Sequence, residues 1–197
     1  YGMGATLTWF GTRGVYVDGQ ANFNWFDSDL NSKTLGRLFT GNNGTGQAYS
    51  FEIGMRTAIK GKLSLTPQFQ MVYSTVDFDT FADPSDAVVS ASKGDSLKTR
   101  WGVSLDYRDE EGPAERTHLY GLADLSYEWR GGTQVDVSGT PLAHRDGRLW
   151  LNVGAGGTRS WDNGRKAVFG EVQATTATRD FGSSYGFKGV LGFRVGF

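Results

Sequence analysis

Cysteine is absent from the 197 residues, which excludes structural disulfides and thiolate metal centres. Histidine occurs only at His118 and His144, too sparsely for histidine-based zinc chemistry or a readily assembled triad. No stretch approaches the ~20 consecutive apolar residues of a spanning helix, and the mean hydropathy is −0.39. A helical membrane protein is thereby excluded. A membrane barrel is not, because its strands alternate and average out to polar. Neither sign of charge dominates: 20 basic residues face 21 acidic ones, and the pI is near 6.1, so nothing points to nucleic acid. Proline is limited to 4 residues and no triplet repeat accompanies the 29 glycines, which excludes collagen. Aromatic residues at 14% exclude a disordered chain. The length suits one domain. Tyr1 opens the chain with no charged-then-apolar leader, which predicts a processed chain or a piece of a longer one.

What is present is period-two alternation from one end to the other. Met3, Ala5, Leu7 and Trp9 share a face, and Val15, Val17, Ala21, Phe23 and Trp25 oppose Tyr16, Asp18, Gln20 and Asn22. The clearest segment interleaves Leu97, Thr99, Trp101, Val103, Leu105 and Tyr107 with Lys98, Arg100, Gly102, Ser104, Asp106 and Arg108. Nine segments of this kind are expected as strands, over 2–10, 15–27, 49–60, 63–78, 97–108, 119–130, 149–161, 167–180 and 187–197, with no helix. The connections alternate in length. Thr12–Gly14, Lys60–Lys62, Glu110–Arg116 and Asp162–Lys166 are short and rich in turn residues. Ser28–Thr45, Asp79–Ser96 and Gly131–Arg148 read as long polar loops, and Gly182–Gly186 as a brief one.

Alternation also suits a soluble sandwich, which has one apolar and one polar face per strand. Three features favour an antiparallel outer-membrane barrel. Most segments keep their phase for the ~9–11 residues that cross hydrocarbon, rather than the ~5–6 of soluble strands. Short turns on one side and long loops on the other match such barrels. The apolar face also carries Trp9, Trp25, Tyr49, Trp101, Tyr107, Trp129 and Trp161, read as an interfacial aromatic girdle. The other face is too charged for a dry interior and suits a wet lumen lined by Asp18, Glu52, Arg56, Arg100, Asp106, Arg108, Asp124, Glu128, Arg130 and Arg194. Both signs are present, so many can pair across strands.

The segments YGMGATLTWFGTRGVYVDGQANFNWFDSDLNS, LSLTPQFQMVYSTVDFDTF, LYGLADLSYEWRGGTQVDVSGTP and SSYGFKGVLGFRVGF resemble the translocator domain of autotransporters, the type V secretion proteins of Gram-negative bacteria. The resemblance implies a twelve-stranded barrel whose pore holds a helix leading to an N-terminal passenger. Nine strands are counted here, so the expectation is an open or incomplete barrel over 1–197, without its first strands, pore helix and passenger. It further implies that the chain end is periplasmic and the long loops extracellular. Leu191, Phe193, Val195 and Phe197 match the alternating, aromatic-ended strand that the barrel assembly machinery reads, with Val195 where an aromatic is often found. A strand edge is also a ready template for pairing with another sheet.

Other motifs carry little. Asp77, Asp79, Asp83 and Asp86 lack the glycine and closing glutamate of a calcium loop and read as a solvated loop. Gly41–Gly46 is followed by no Lys-Ser/Thr, so it is not a phosphate loop. Asn43-Gly44-Thr45 matches a glycosylation acceptor by chance. His118 lies too far along its strand from Ser126 and Asp124 for a triad. Gly54, Gly102, Gly154, Gly156 and Gly192 face the lumen, where they leave room for a threading chain or mark kinks. The expected function is a non-enzymatic, cofactor-free translocator whose partners are outer-membrane lipid, the assembly machinery and its own passenger. The alternatives are a barrel enzyme of protease or lipase type, and a passive channel or adhesin.

Overall fold

A computed structural model describes residues 1–34, 36–109, 115–144, 147–179 and 184–196, with the side chains of 91–93, 133, 143 and 144 aside. Phe197 lies outside the described residues, as does the His144 side chain. The strands are β1 (Gly2–Phe10), β2 (Val15–Ser32), β3 (Gly36–Met55), β4 (Thr57–Lys60), β5 (Leu63–Phe78), β6 (Phe81–Ala82), β7 (Val88–Lys93), β8 (Asp95–Asp109), β9 (Arg116–Glu128), β10 (Thr133–Val137), β11 (Thr140–His144), β12 (Leu149–Trp161), β13 (Lys166–Ala177) and β14 (Tyr185–Val195). One 3-10 turn, Thr12–Gly14, is the sole helical element among the described residues.

The main sheet runs β1-β2-β3-β5-β8-β9-β12-β13-β14, antiparallel at every step, and β4 continues past Arg56 to pair with β5. These are the nine expected strands, with β3 and β4 together forming one of them. In an antiparallel ladder, directly paired residues share a face. Trp9, Val17, Ile53, Phe69, Trp101, Leu125 and Leu151 therefore form one row across seven strands. One residue away, Thr8, Asp18, Glu52, Gln70, Arg100 and Ser126 form a row on the other face.

Burial is inverted relative to a soluble domain. Among the described residues the only buried apolar ones are Ala167 and Ala177, while Ser64, Thr66, Ser104, Asp106, Asp124 and Ser126 are buried. Leu7 is 78% exposed and Leu191 83%. The sheet curls with its polar face inside, where Thr8, Asp18, Glu52, Thr66 and Asp106 from five different strands line one open cavity of about 640 Å³. A sandwich needs the opposite arrangement, with its apolar side chains meeting between two sheets.

The short turns have local causes. Asp162, Asn163 and Gly164 turn β12 into β13 with φ of 56°, 53° and 80°, conformations suited to Asp, Asn and Gly. Gly14 has φ 78°, and a Cβ there would collide with the Arg56 carbonyl oxygen. Its absence lets the β1–β2 turn dock on the neighbouring strand, where the Arg56 N–H reaches the Gly14 oxygen at 2.8 Å.

The long connections depart from the expectation of loops. Ser28–Thr45 is mostly strand, because β2 and β3 extend as a hairpin to Ser32 and Gly36. Asp79–Ser96 and Gly131–Arg148 hold β6, β7, β10 and β11, which form a second sheet in the order β11-β10-β7-β6. Val89 pairs with Phe81 on one side and Val137 on the other, giving this sheet an apolar stripe. The Phe81 ring meets Phe39 of the projecting hairpin with centroids 4.9 Å apart. Polar composition hid these pairings, because the strands are short and, apart from β10, do not alternate strictly.

Candidate functional site

The concave face carries the cross-strand ion pairs and hydrogen bonds of the wall. Most of its charges are engaged across strands. Arg100 on β8 donates to Glu52 Oε2 on β3 at 2.9 Å and lies 3.9 Å from Asp124 Oδ2 on β9. Tyr16 on β2 donates to the second Glu52 oxygen at 2.7 Å, and Asn152 on β12 to Asp124 Oδ1 at 2.6 Å. This one chain of contacts ties five strands together. Asp18 accepts from Thr8 at 2.5 Å and Gln20 at 3.0 Å. Glu128 accepts from Ser96 Oγ at 2.6 Å and from the Leu97 and Arg130 N–H groups at 3.0 Å each.

Arg56 donates from Nε to Ser64 at 3.0 Å, and Arg108 lies on the same face toward the short-turn end. Arg194 on β14 reaches the Gly164 carbonyl at 3.0 Å. Arg130 departs from the expected lining position. It lies past the end of β9, and its Nε pairs with Asp95 at 3.2 Å. Asp95 belongs to the apolar face by its pairing with Thr75, so Arg130 marks the rim.

His118 lies 2.7 Å from Asp106 Oδ1, and Ser104 donates to the other Asp106 oxygen at 2.9 Å. The carboxylate stands between imidazole and hydroxyl, so the base–nucleophile contact of a hydrolase triad is missing from this group.

The lumen-side glycines have a use that sequence reading missed. The Tyr16 ring covers Gly54, the Phe169 ring covers Gly192, and a Cβ on Gly156 would lie 2.5 Å from the Tyr120 hydroxyl. Tyr120 also donates to Glu171 Oε2. Room at these three glycines is thus taken by an aromatic ring from the adjacent strand, not left for a passing chain. Gly102 and Gly154 are instead crowded by Asp124 Cβ and Gln173 Cγ, each 3.0 Å from where their Cβ would be. The available signal was an aromatic in the polar phase opposite a glycine, as at Tyr16 and Tyr120.

On the apolar face, Trp9, Tyr107 and Trp161 stand toward the short-turn end, and Trp161 is the last residue of β12. Trp25 stands where the β2–β3 hairpin leaves β1, just past the last β1 pairing, whereas Tyr49 pairs with Tyr73 inside the β3–β5 ladder. Trp129 follows β9, and its indole N–H donates to Thr99 at 3.0 Å. Trp101 differs: it sits in the middle of β8, where its ring lies 5.6 Å from Phe69. Leu191, Phe193 and Val195 share the apolar face of β14, with Phe193 81% exposed.

Comparisons with known proteins agree with this geometry. The chain is 40% identical over 99% of its length to the Adhesin BmaC autotransporter of Brucella suis, and covers 6% of that protein. It is 26% identical over 95% of its length to the Probable autotransporter YfaL of Escherichia coli, and covers 15% of it. The chain thus spans only a small part of these relatives. Its fold matches the transport unit of the autotransporter AIDA-I from Escherichia coli with a TM-score of 0.81 at 18% identity, over all of this chain and 65% of that one. The beta domain of the Bordetella autotransporter BrkA matches with a TM-score of 0.69 at 15% identity, over all of this chain and 72% of that one. The family described as Autotransporter beta-domain matches residues 1–173. An inside-out antiparallel wall and a family match over most of its length thus lead to one conclusion: the chain belongs to the autotransporter beta-domain family, a family of the bacterial outer membrane.

Proposed function

We propose that this chain forms most of a translocator barrel that anchors an N-terminal passenger and exports it to the cell surface. The observation that carries the reading is a charged, cross-tied concave face behind an apolar outer face, in a chain matched to the family over residues 1–173. In this reading Asp18, Glu52, Arg56, Arg100, Asp106, Arg108, Asp124, Glu128 and Arg194 line the pore. Trp9, Tyr107 and Trp161 mark one lipid boundary and Trp25, Tyr49 and Trp129 the other. The short turns are periplasmic and the second sheet extracellular. Leu191, Phe193, Val195 and Phe197 act as the strand that the assembly machinery reads. The barrel uses no cofactor and performs no catalysis.

The remaining strands and the pore helix precede Tyr1 in the full protein. Two facts support this. β1 and β14 are the ends of the sheet order, and the chain covers 65% of the AIDA-I transport unit. In cells, the full-length protein should display its passenger to external protease, whereas a form lacking residues 1–197 should leave it inside. A passenger reaching the surface equally without those residues overturns the proposal.

A further inference from the structure

Charges in the outward phase of the main sheet divide between its two ends. Toward the short turns, Lys60 pairs with Leu63, Arg159 with Thr117 and Val168, and Lys166 with Trp161 and Val195. All three therefore occupy outward positions, and the outward Asp109 at that level is taken by Lys62 at 2.7 Å. Toward the long connections, the outward charges of the paired rows among the described residues are Asp27, Asp77 and Asp95. Asp95 there takes up Arg130. Cations that merely sought any aqueous boundary would stand at both ends.

The cations gather where β12 turns into β13. Arg159 lies two residues before Trp161 on the same face, about 7 Å along the strand. Lys166 stands directly across from Trp161, and Arg165 lies in the turn between the strands. The Asp162 carboxylate is divided between Arg165 and Lys166, one oxygen to each at 3.4 Å. Arg159 meets Glu115 at 3.2 Å with side chains 64% and 63% exposed, a pairing that water weakens. Three cations thus share two carboxylates beside a boundary tryptophan. Next to them the outer face is apolar: Val168 pairs with Phe193, Gly170 with Leu191 and Val172 with Gly189. Leu191 and Phe193 are 83% and 81% exposed. Long basic side chains keep their stems on such a surface while their heads reach a headgroup. There a guanidinium fork or an ammonium engages phosphate oxygens.

We propose that Arg159 and Lys166 form a binding site for an anionic glycerophospholipid in the leaflet on the short-turn side. The two cations hold its headgroup phosphate, and its acyl chains lie along the outer rows of β13 and β14. A zwitterionic headgroup brings its own cation to its phosphate and gains little here. The inference rests on the reading that the outer face meets lipid, yet it is measured as lipid selectivity and not as export, so either can fail alone.

The test uses full-length protein in micelles of an uncharged detergent, loaded with radiolabelled dioleoyl phosphatidylglycerol or dioleoyl phosphatidylcholine. Lipid retained after gel filtration is counted per folded barrel, with the folded fraction read from unheated gels. Each cation near an anionic headgroup contributes about a fivefold preference, so the wild type should retain phosphatidylglycerol at least fivefold over phosphatidylcholine. That preference should vanish in R159Q/K166Q and persist in R159K/K166R, which keeps both charges. It should persist equally in R37Q/K188Q, which removes two cations from the hairpin tip and the concave face. Equal retention of both lipids by the wild type overturns the site while leaving the outer face in lipid. Retention of neither overturns both. A preference that survives R159Q/K166Q, or that R159K/K166R or R37Q/K188Q also loses, likewise overturns the site.

Discussion

Where β8 meets β9, the concave face carries Arg100, Asp124, Asp106 and His118, each with a polar partner on another strand. Where β13 meets β14, it carries Phe169 over Gly192 and an Arg194 that reaches a turn carbonyl. The outer faces differ in the same sense. Trp101, Val103 and Leu105 are 48%, 39% and 47% exposed, packed between two neighbours, whereas Phe187, Leu191 and Phe193 on β14 all stand near 80% or above. The centre of the wall is therefore fixed by side chains as well as by its backbone ladder. The last strand depends on the ladder to β13, with large apolar groups left for lipid or for another strand.

The comparison is broken most severely by placing charge on the outer face of the centre. Val103→Arg puts a guanidinium near mid-strand on the lipid side, at a cost of about 2–4 kcal/mol. Ser74→Arg puts the same group on the concave face, paired across from Ala48 and Ser96, where water and acids are near. Refolding yields in liposomes should fall sharply for the first and little for the second. Equal yields would mean that the outer face does not meet lipid.

The next largest effect lies in the polar ties. Glu52→Gln removes the carboxylate that holds both Arg100 and Tyr16, leaving Arg100 only the longer contact to Asp124. A loss of about 1–3 kcal/mol is expected in urea unfolding from micelles. Lys188→Gln on β14 should change stability by less than about 0.5 kcal/mol. Similar losses at both would remove the distinction between centre and edge.

Glycines sharpen the contrast at finer scale. Gly156→Ala would set a Cβ 2.5 Å from the Tyr120 hydroxyl and 2.9 Å from the Gly170 carbonyl. Tyr120 must then move and release Glu171, so a cost of about 1–3 kcal/mol is expected. Gly189 on β14 has nothing within 4 Å of its missing Cβ, so Gly189→Ala should be neutral or slightly favourable. Thermal unfolding of the pair reads the difference directly.

Most of the main sheet was legible in the sequence because its two faces meet such different surroundings. Leu97 to Tyr107 must be apolar on one side, and a one-residue slip would place Lys98, Arg100 and Arg108 in lipid, so phase alone fixes register. That constraint ends where strands leave the membrane level. β2 and β3 run on as a hairpin past Trp25, and β7 and β10 pair outside the main sheet, where Ser90, Asp136 and similar residues need not alternate strictly. On the concave face, the charged residues were visible as a set, but their partners were not. Arg100 finds Glu52 across β5, a distance of 48 residues in sequence. Arg130 misled because period-two counting was carried past the end of β9.

The sharpest effect on function relative to the effect on the purified barrel is expected at β14. Phe193 is 81% exposed on the outer face and pairs with Val168. The wall itself gives this ring little burial, so Phe193→Ala leaves the strand ladder intact and costs the ring's contact with detergent, about 1.5–3 kcal/mol, which a barrel with this much sheet survives. A strand recognised by another protein's sheet during assembly uses its side chains before lipid surrounds them, with backbone pairing for affinity and alternate side chains for selection. Under the proposed role, the same Phe193→Ala substitution in the full-length protein slows insertion in cells far beyond its effect on purified refolding. Deleting Phe197 extends the test to the end of the row. Val172→Ala provides the control, since Val172 is 64% exposed on the same face but belongs to the adjoining strand β13. A cellular defect specific to β14 supports the assembly reading. Equal defects for Phe193→Ala and Val172→Ala, tracking their refolding losses, reduce β14 to an edge that lipid merely covers.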